Sequence, residues 1–205
     1  MKKLETKSCE EIMMTVYKPI EFVVENLIAQ GLYILAGAPK VGKSWLSLDI
    51  CLSIAKGENI LGHETRCGTA LYLCLEDSVE RIQKRLYELT DEPTENLHFA
   101  IMADTIGSGL ENQIEKFKAE RSDLKIVVID TLQMIRESTE NSYGSDYKEL
   151  SVLKSLADNL GIAIVLVHHT RKNYDSDPFN IYDMVVVAPS KVLRLPTTQI
   201  QRRLI

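Results

Sequence analysis

Residues 36–47, AGAPKVGKSWLS, constrain the fold more than any other stretch of this chain. They place two glycines, a proline and two lysines between an apolar run, Leu32 to Ala36, and a segment with helical periodicity. Within them, residues 37–44 fit the pattern GxxxxGK[ST] in the strand-then-helix context that makes this pattern credible. Glycines let the backbone approach oxygen atoms, and the N–H groups at a helix N-terminus converge on an anion. The stretch therefore predicts a loop that binds a nucleoside triphosphate. The alternative, a glycine-rich turn with chance lysines, is disfavoured by the flanking strand and helix.

The predicted nucleotide site is one continuous run: Gly37, Ala38, Pro39, Lys40, Val41, Gly42, Lys43, Ser44 and Trp45. Lys43 is expected to reach the β- and γ-phosphates, and the Ser44 hydroxyl is expected to ligate Mg²⁺. Lys40 is an additional cation that either touches phosphate or is solvated, and we favour solvation. The prediction therefore depends most on Lys43 and Ser44.

Composition and charge narrow the class of protein. The chain has 205 residues, of which 45% are hydrophobic, enough for one domain with a core. The net charge of −5 argues against nucleic-acid binding over the whole surface, so any such contact must be local. The apolar stretches are strand-sized, no secretory signal follows the N-terminal lysines, and the four cysteines show no disulfide or zinc spacing. We expect a cytoplasmic protein with no membrane contact.

Short β-rich runs alternate with longer segments of helical periodicity. Strands are predicted at 32–37, 69–76, 97–102, 125–130 and 162–169, and helices at 44–57, 78–89, 109–121 and 146–161. This alternation predicts an α/β fold with a mainly parallel sheet and helices on both faces. Ligands of such sheets bind at the carboxyl ends of the strands, so we expect site residues there.

Acidic residues end two of these strands. Asp130 closes the run IVVID and is predicted to hold Mg²⁺, in part through water, although such a strand end alone could be a helix cap. Glu76 and Asp77 close LYLCLED, and alternation leaves Glu76 at the strand tip. Glu76 is the predicted catalytic carboxylate, which would orient and polarise the attacking water. Asp77 could instead cap the following helix.

Two histidines, His168 and His169, end the fifth predicted strand. A group at this strand end would face the γ-phosphate and report its hydrolysis to a loop. The pair could also ligate a metal, but no CxxC, HExxH or third ligand accompanies it. The following Thr170, Arg171 and Lys172 could touch phosphate or nucleic acid, or could form a solvated loop. We predict the two histidines as site residues.

Together, these residues resemble the RecA-type ATPases, especially the RepA-like hexameric replicative helicase branch. LAGAPKVGKSWLSLDI, LYLCLEDSVERIQKRL, VVIDTLQMIR and LVHHTRK resemble that branch's P-loop, acidic second strand, Walker B strand and paired-histidine strand, in the same order. The resemblance implies a RecA-like ATPase core at 20–175, between an N-terminal extension, 1–19, and a divergent C-terminal tail, 176–205. It also implies an ATP- and Mg²⁺-dependent ATPase that assembles head to tail as a homo-oligomeric ring and moves along single-stranded DNA.

The resemblance also assigns site residues by motif. It implies that Lys43 and Ser44 bind phosphate and Mg²⁺. It makes Glu76 the catalytic carboxylate and Asp130 the Walker B acid, and it places His168 and His169 at the sensor position. Beyond the core the resemblance fails, because no glycine follows Gly161, and we expect C-terminal strands that are atypical or truncated. Arg194, Arg202 and Arg203 are candidates for an arginine finger by charge alone.

Two functions from different classes remain open. The first is a helicase-like DNA motor of the plasmid or phage replication type, with Arg136, Arg171 and Lys172 adding positive charge to a central channel. The second is a nucleotide-dependent switch or regulatory ATPase without helicase activity, which the acidic balance and irregular tail favour. A degraded remnant that cannot assemble is a third possibility. A small-molecule kinase is disfavoured because Glu76 suits water activation and no arginine-rich lid is apparent.

Overall fold

The computed structural model describes Leu4 and residues 6–17, 19–136, 143–169, 183–188 and 191–196, with backbone alone for 143–147 and for the last two ranges. Along these residues the elements are α1 (Cys9–Met14), β1 (Phe22–Val24), β2 (Ile28–Ala29), β3 (Gly31–Gly37), α2 (Lys43–Lys56), β4 (Thr69–Cys74), α3 (Val79–Leu89), β5 (Leu97–Ala100), α4 (Leu110–Glu120), β6 (Leu124–Asp130), a 3₁₀ turn (Leu132–Ile135), α5 (Tyr143–Leu160), β7 (Ala163–His169), β8 (Asp183–Ala188) and β9 (Lys191–Pro196).

Among the described residues, seven strands form one sheet in the order β5-β4-β6-β7-β3-β8-β9. The first five in this order run parallel, whereas β8 is antiparallel to β3 and β9 is antiparallel to β8. The apolar residues of α2 and α3 pack on one face of the sheet, and those of α4 and α5 pack on the other. The predicted α/β fold, with a mainly parallel sheet and helices on both faces, is therefore confirmed.

Side-chain alternation along the strands decides which residues can meet at the strand ends. In β7, Val165 and Val167 pack with α2, whereas Ile164 and Leu166 pack with α5. Every second residue of a strand points to the same face, so this assignment extends to the residues at the strand tips. The face of the sheet that packs against α2 is called the α2 face below.

Local signals mark the start of α3 and the ends of α2 and α5 where the sequence predicts them. Ser78 caps α3, with its hydroxyl accepting a hydrogen bond from the Arg81 N–H at 3.4 Å. Gly57 and Gly161 follow α2 and α5 directly, with φ of 72° and 62°. These left-handed values suit glycine, which lacks the Cβ that would be strained there.

Several parts of the fold differ from the sequence prediction, and β5, for example, ends at Ala100, two residues before its predicted end. β4 ends at Cys74, two residues before the predicted end, because the chain turns and the Asp77 N–H donates to the Cys74 carbonyl at 3.2 Å. The short β1–β2 hairpin was not predicted. Within 176–205, where atypical or truncated strands were predicted, the described strands β8 and β9 extend the sheet beyond β3. No helix in the described part of the chain is long and apolar enough to span a bilayer.

Candidate nucleotide-binding site

Lys43 folds back over the loop that precedes it. It is the first residue of α2, its side chain is buried, and its Nζ donates hydrogen bonds to the carbonyl oxygens of Gly37 (2.9 Å) and Ala38 (2.7 Å). Burial lowers the pKa of Lys43, and the nearby Asp130 carboxylate opposes that shift. An anion in this loop would therefore meet a cation that has already lost much of its water.

The N-terminus of α2 has no capping side chain. Gly42 is the N-cap residue, with φ of 96°, and it makes no side-chain cap hydrogen bond. A side chain at this position would be strained by the positive φ, which explains the glycine. An uncapped helix start leaves backbone N–H groups for water or a ligand, and the helix dipole favours an anion there.

The other residues of the predicted nucleotide site are exposed or half-buried. Pro39 and Lys40 are exposed, and Lys40 has left-handed backbone with φ of 66°. This exposure agrees with the solvated alternative for Lys40. Val41 and Trp45 are half-buried, and the guanidinium carbon of Arg85 lies 5.7 Å from the centre of the Trp45 ring.

Asp130 reaches the same region from the end of β6. It pairs in register with Cys74 of β4 and Val167 of β7, so its side chain lies on the α2 face. Its Oδ2 accepts a hydrogen bond from the Tyr72 hydroxyl at 2.7 Å, and that hydroxyl lies 3.4 Å from the Ser44 carbonyl oxygen. Burial and then the Asp130 carboxylate raise the pKa of Tyr72 well above its usual value. Tyr72 therefore keeps its proton and acts as the donor.

Glu76 lies in the turn that follows β4. Its Oε1 accepts a hydrogen bond from the Thr131 hydroxyl at 2.8 Å. The N–H of Leu75 also donates to the Asp130 carbonyl at 2.9 Å. These two bonds join the tips of β4 and β6, so Glu76 and Asp130 project from adjacent strand ends.

Asp77 forms ion pairs instead of capping α3. Ser78 is the N-cap, and the Asp77 carboxylate pairs with Arg85 and, at 3.4 Å, with Arg81. The alternative role of Asp77 as a helix cap is therefore wrong. Because two guanidinium groups already stabilise this carboxylate, it is a weaker candidate for a general base than Glu76.

The two histidines lie on opposite faces of the sheet. His169 pairs in register with Gly37 and, by alternation from Val167, lies on the α2 face. His168 shares the opposite face with Leu166. Partial desolvation and then nearby basic groups lower the pKa of His168. The structure thus brings His169, but not His168, to the face on which the loop lies.

A small polar cavity of about 120 Å³ lies where these side chains meet. Its lining consists of Ser44, Cys74, Glu76, Asp77, Arg81, Arg85, Asp130 and His169. Ser44 and Asp130 supply a hydroxyl and a carboxylate, the oxygen ligands that Mg²⁺ prefers, and water and phosphate can complete its coordination. The described residues contain no cluster of three or more His, Cys, Asp and Glu ligands, but a nucleotide-bound Mg²⁺ does not need one. The residues present therefore fit Mg²⁺ bound together with a triphosphate.

The Arg136 side chain forms an ion pair within the fold. Its Nε donates to Glu149 Oε2 at 2.9 Å, and the two side chains are 10% and 15% exposed. Arg136 was predicted to add positive charge to a channel. Its charge is instead balanced inside the domain by a residue of α5.

Other predicted residues lie outside the described part of the chain, or in a part described by its backbone alone. Thr170, Arg171, Lys172, Arg202 and Arg203 are outside the described residues. For Arg194 the structure describes the backbone alone, within β9. The identity of an arginine finger among these residues therefore stays a prediction.

Sequence reasoning missed five residues at the site: Tyr72 and Thr131, and Cys74, Arg81 and Arg85 of the cavity lining. Tyr72 bonds to a residue 58 positions away, and Thr131 to one 55 positions away, so both contacts depend on how the strands pair. The available signal was a lone tyrosine in the apolar strand TALYLC. A buried tyrosine usually finds a partner for its hydroxyl, which could have directed attention to it.

Comparisons of the sequence with known proteins found a matching family and distant relatives. The profile of the AAA domain family matches residues 8–175. The chain is 27% identical over 151 residues to the DNA repair protein RadA of Streptococcus pyogenes serotype M6, a match covering 72% of this chain and 29% of that protein. It is 25% identical over 151 residues to RadA of Streptococcus pneumoniae strain R6, covering 72% of this chain and 32% of that protein. The match therefore spans less than a third of the length of either curated relative.

Proposed function

Because this chain belongs to the AAA domain family and is a RecA-like P-loop ATPase, we propose that it binds and hydrolyses ATP with Mg²⁺ at residues 37–44. The observation that carries the proposal is the buried Lys43 ammonium at an uncapped helix start. Ser44 and Asp130 line the adjoining cavity, where they could hold a metal beside the phosphates.

Phosphate binding would use groups that are already in place. Lys43 would exchange its two carbonyl acceptors for oxygens of the β- and γ-phosphates, a stronger charge-assisted contact. Backbone N–H groups of the loop and of the first turn of α2 would donate to the same phosphates. Arg85 lines the cavity from α3, where its guanidinium pairs with Asp77, and it would be a second cation near the γ-phosphate if it turned from that carboxylate to the nucleotide. The groups in place without such a change are the backbone N–H groups and the Lys43 ammonium.

Hydrolysis would use the acidic strand ends. Glu76 would accept a proton from a water that attacks the γ-phosphorus, and the bond from that phosphorus to the β–γ bridging oxygen would break. The Thr131 hydroxyl holds the Glu76 carboxylate in place for this role. Lys43 would stabilise the charge that develops on the departing diphosphate. Mg²⁺, when held by Ser44 and Asp130, supplies further neutralisation of phosphate charge.

Calorimetry tests the proposal directly. Titration with ATP and with a non-hydrolysable ATP analogue, each with Mg²⁺ and with EDTA, should show nucleotide binding that Mg²⁺ strengthens. Phosphate release from ATP should follow under the same Mg²⁺ conditions. No heat of binding for either nucleotide in Mg²⁺ buffer would contradict the proposal.

We also propose that the ATPase acts on DNA, as a helicase-like motor. The matched RadA proteins are named DNA repair proteins, and the sequence motifs resemble a replicative helicase branch. The prediction is that single-stranded DNA stimulates ATP hydrolysis, and that the stimulation falls steeply as salt rises because phosphate contacts release counterions. The measurement is phosphate release at several salt concentrations, with duplex DNA as the comparison. An oligomeric preparation that shows no stimulation at any salt concentration argues against the motor.

The second candidate is a nucleotide-dependent switch without helicase activity. The observation that favours it is the partly buried Arg136–Glu149 pair, which balances one of the positive charges expected in a channel. Strand displacement on a forked duplex separates the two functions. ATP hydrolysis without strand displacement would favour the switch, and displacement would favour the motor.

Self-assembly is a further part of the proposal, and the described residues between 4 and 20, called the N-terminal segment below, offer a contact for it. Large hydrophobic side chains are exposed along this segment: Leu4, Ile12, Met13, Met14, Val16, Tyr17 and Ile20. The helix α1 within it contributes no residue to the core of its own chain. So many exposed apolar side chains in one segment are unusual for a monomer, and a neighbouring copy could cover them.

Polar substitutions in this segment should weaken assembly. We expect the triple variant Met13→Ser, Met14→Ser, Val16→Ser to show a lower mass by light scattering in ATP and Mg²⁺ than the unaltered chain. Val152→Ser, which alters an exposed valine of α5, is the control and should assemble normally. Assembly of the triple variant at full mass would show that this segment is not the contact.

A further inference from the structure

The Tyr72 hydroxyl lies within hydrogen-bonding distance of both residues that are proposed to hold the metal. Its hydroxyl lies 2.7 Å from Asp130 Oδ2 and 3.4 Å from the carbonyl oxygen of Ser44, residues 58 and 28 positions away in sequence. We propose that Tyr72 is a positioning residue for Mg²⁺–ATP, which fixes the Asp130 carboxylate in the orientation that receives the metal or its bound water. This inference rests on the proposed ATPase function.

The Asp130 carboxylate needs such a partner. The terminal torsion of an aspartate is broad, so the carboxylate of a short side chain can rotate unless a hydrogen bond holds one oxygen. The Tyr72 hydroxyl holds Oδ2 and leaves Oδ1 for the metal or a metal-bound water. Outer hydrogen bonds of this kind orient the ligands of metal sites in general.

The position of the hydroxyl is set by the hydrophobic core. Tyr72 is 1% exposed, and its ring packs against Phe99 of the edge strand β5, with ring centroids 6.0 Å apart at an angle of 58°. Close packing leaves a buried ring few alternative rotamers. The orientation of Asp130 is therefore tied to packing between β4 and β5 as well as to the loop.

The chemistry of a phenol suits this task. A neutral donor orients the carboxylate without cancelling its charge. A lysine or arginine in the same place would neutralise Asp130 and compete with Mg²⁺. The tyrosine thus supplies geometry while the carboxylate keeps its attraction for the cation.

The test replaces Tyr72 by phenylalanine, which removes the hydroxyl and keeps the ring. Trp45 is the one tryptophan of the chain and adjoins Ser44, so its fluorescence serves as a binding signal that does not need turnover. A non-hydrolysable ATP analogue is titrated in EDTA, and Mg²⁺ is then titrated at saturating analogue. We expect unchanged analogue affinity in EDTA and a roughly 10-fold higher half-saturating Mg²⁺ concentration, the lower end of the usual effect of losing an outer-shell partner.

Tyr33→Phe is the matched control. Tyr33 lies on β3, another central strand of the same sheet, is also buried, and its hydroxyl accepts a hydrogen bond from the Ala29 N–H at 2.8 Å. This variant also loses one buried hydroxyl but should keep the Mg²⁺ dependence of the unaltered chain. Equal Mg²⁺ dependence in Tyr72→Phe and Tyr33→Phe overturns the inference.

A second variant covers the case in which Tyr72→Phe does not fold. Phe99→Leu loosens the packing against the Tyr72 ring and should raise the half-saturating Mg²⁺ concentration in the same direction by a smaller factor. An unchanged value in Phe99→Leu would then overturn the inference. If the unaltered chain shows neither a Trp45 response nor a heat of nucleotide binding, the ATPase proposal itself fails, which is a distinguishable result.

Discussion

Replacing Lys43 by alanine is expected to abolish ATP hydrolysis, with a loss of at least about 10²- to 10³-fold in kcat. The Nζ of Lys43 is already within 3 Å of the Gly37 and Ala38 carbonyl oxygens, so it lies at the loop that would hold the phosphates. Without it, the charge that develops on the phosphates would lose its nearest cation. The measurement is steady-state phosphate release at saturating ATP and Mg²⁺, with analogue binding measured in parallel through Trp45 fluorescence.

The control for this experiment is Lys84→Ala. Lys84 is an exposed residue of α3, so its removal changes the net charge by the same amount outside the loop. We expect Lys84→Ala to hydrolyse ATP like the unaltered chain. Thermal unfolding of both variants checks that Lys43→Ala stays folded. Normal hydrolysis by a folded Lys43→Ala would falsify the assignment of the phosphate site.

The parts of the site that are local in sequence were predictable. The loop from Gly37 to Ser44 is one continuous stretch, and its glycine spacing reports directly on backbone geometry, as the φ of 96° at Gly42 illustrates. The buried parallel strands were equally visible, because strands covered on both faces need continuous runs of apolar residues. Asp130 could be placed at a strand end for the same reason.

The parts that depend on strand pairing were not predictable. The Thr131 hydroxyl donates a hydrogen bond to Glu76, and the Tyr72 hydroxyl donates one to Asp130. Both bonds cross between the ends of β4 and β6, and a single sequence does not give the register that pairs these strands. The end of β4 was wrong by two residues because a turn hydrogen bond, not a change in apolar pattern, ends the strand. The charge of Arg136 looked available in the sequence because its partner is 13 positions away on another element.

Replacing Glu76 by glutamine is expected to separate ATP binding from ATP hydrolysis. Glutamine keeps an oxygen that can accept the 2.8 Å hydrogen bond from Thr131, so the geometry of the turn should survive. It has no basic carboxylate, so the attacking water would lose its proton acceptor. We expect kcat to fall about 10²- to 10⁴-fold, the usual contribution of general base catalysis. Analogue binding should be nearly unchanged, because Glu76 is not proposed to contact the phosphates.

Asp77→Asn is the matched control for Glu76→Gln. Both variants remove one negative charge from neighbouring positions, but Asp77 pairs with Arg81 and Arg85 and is not the proposed base. We therefore expect Asp77→Asn to change kcat less than Glu76→Gln does, and to act through the position of Arg85. If instead Glu76→Gln retains kcat within a few-fold and Asp77→Asn loses it, the two carboxylates have exchanged roles. The base would then be the carboxylate held by arginines, and ATP binding would have to release it from them.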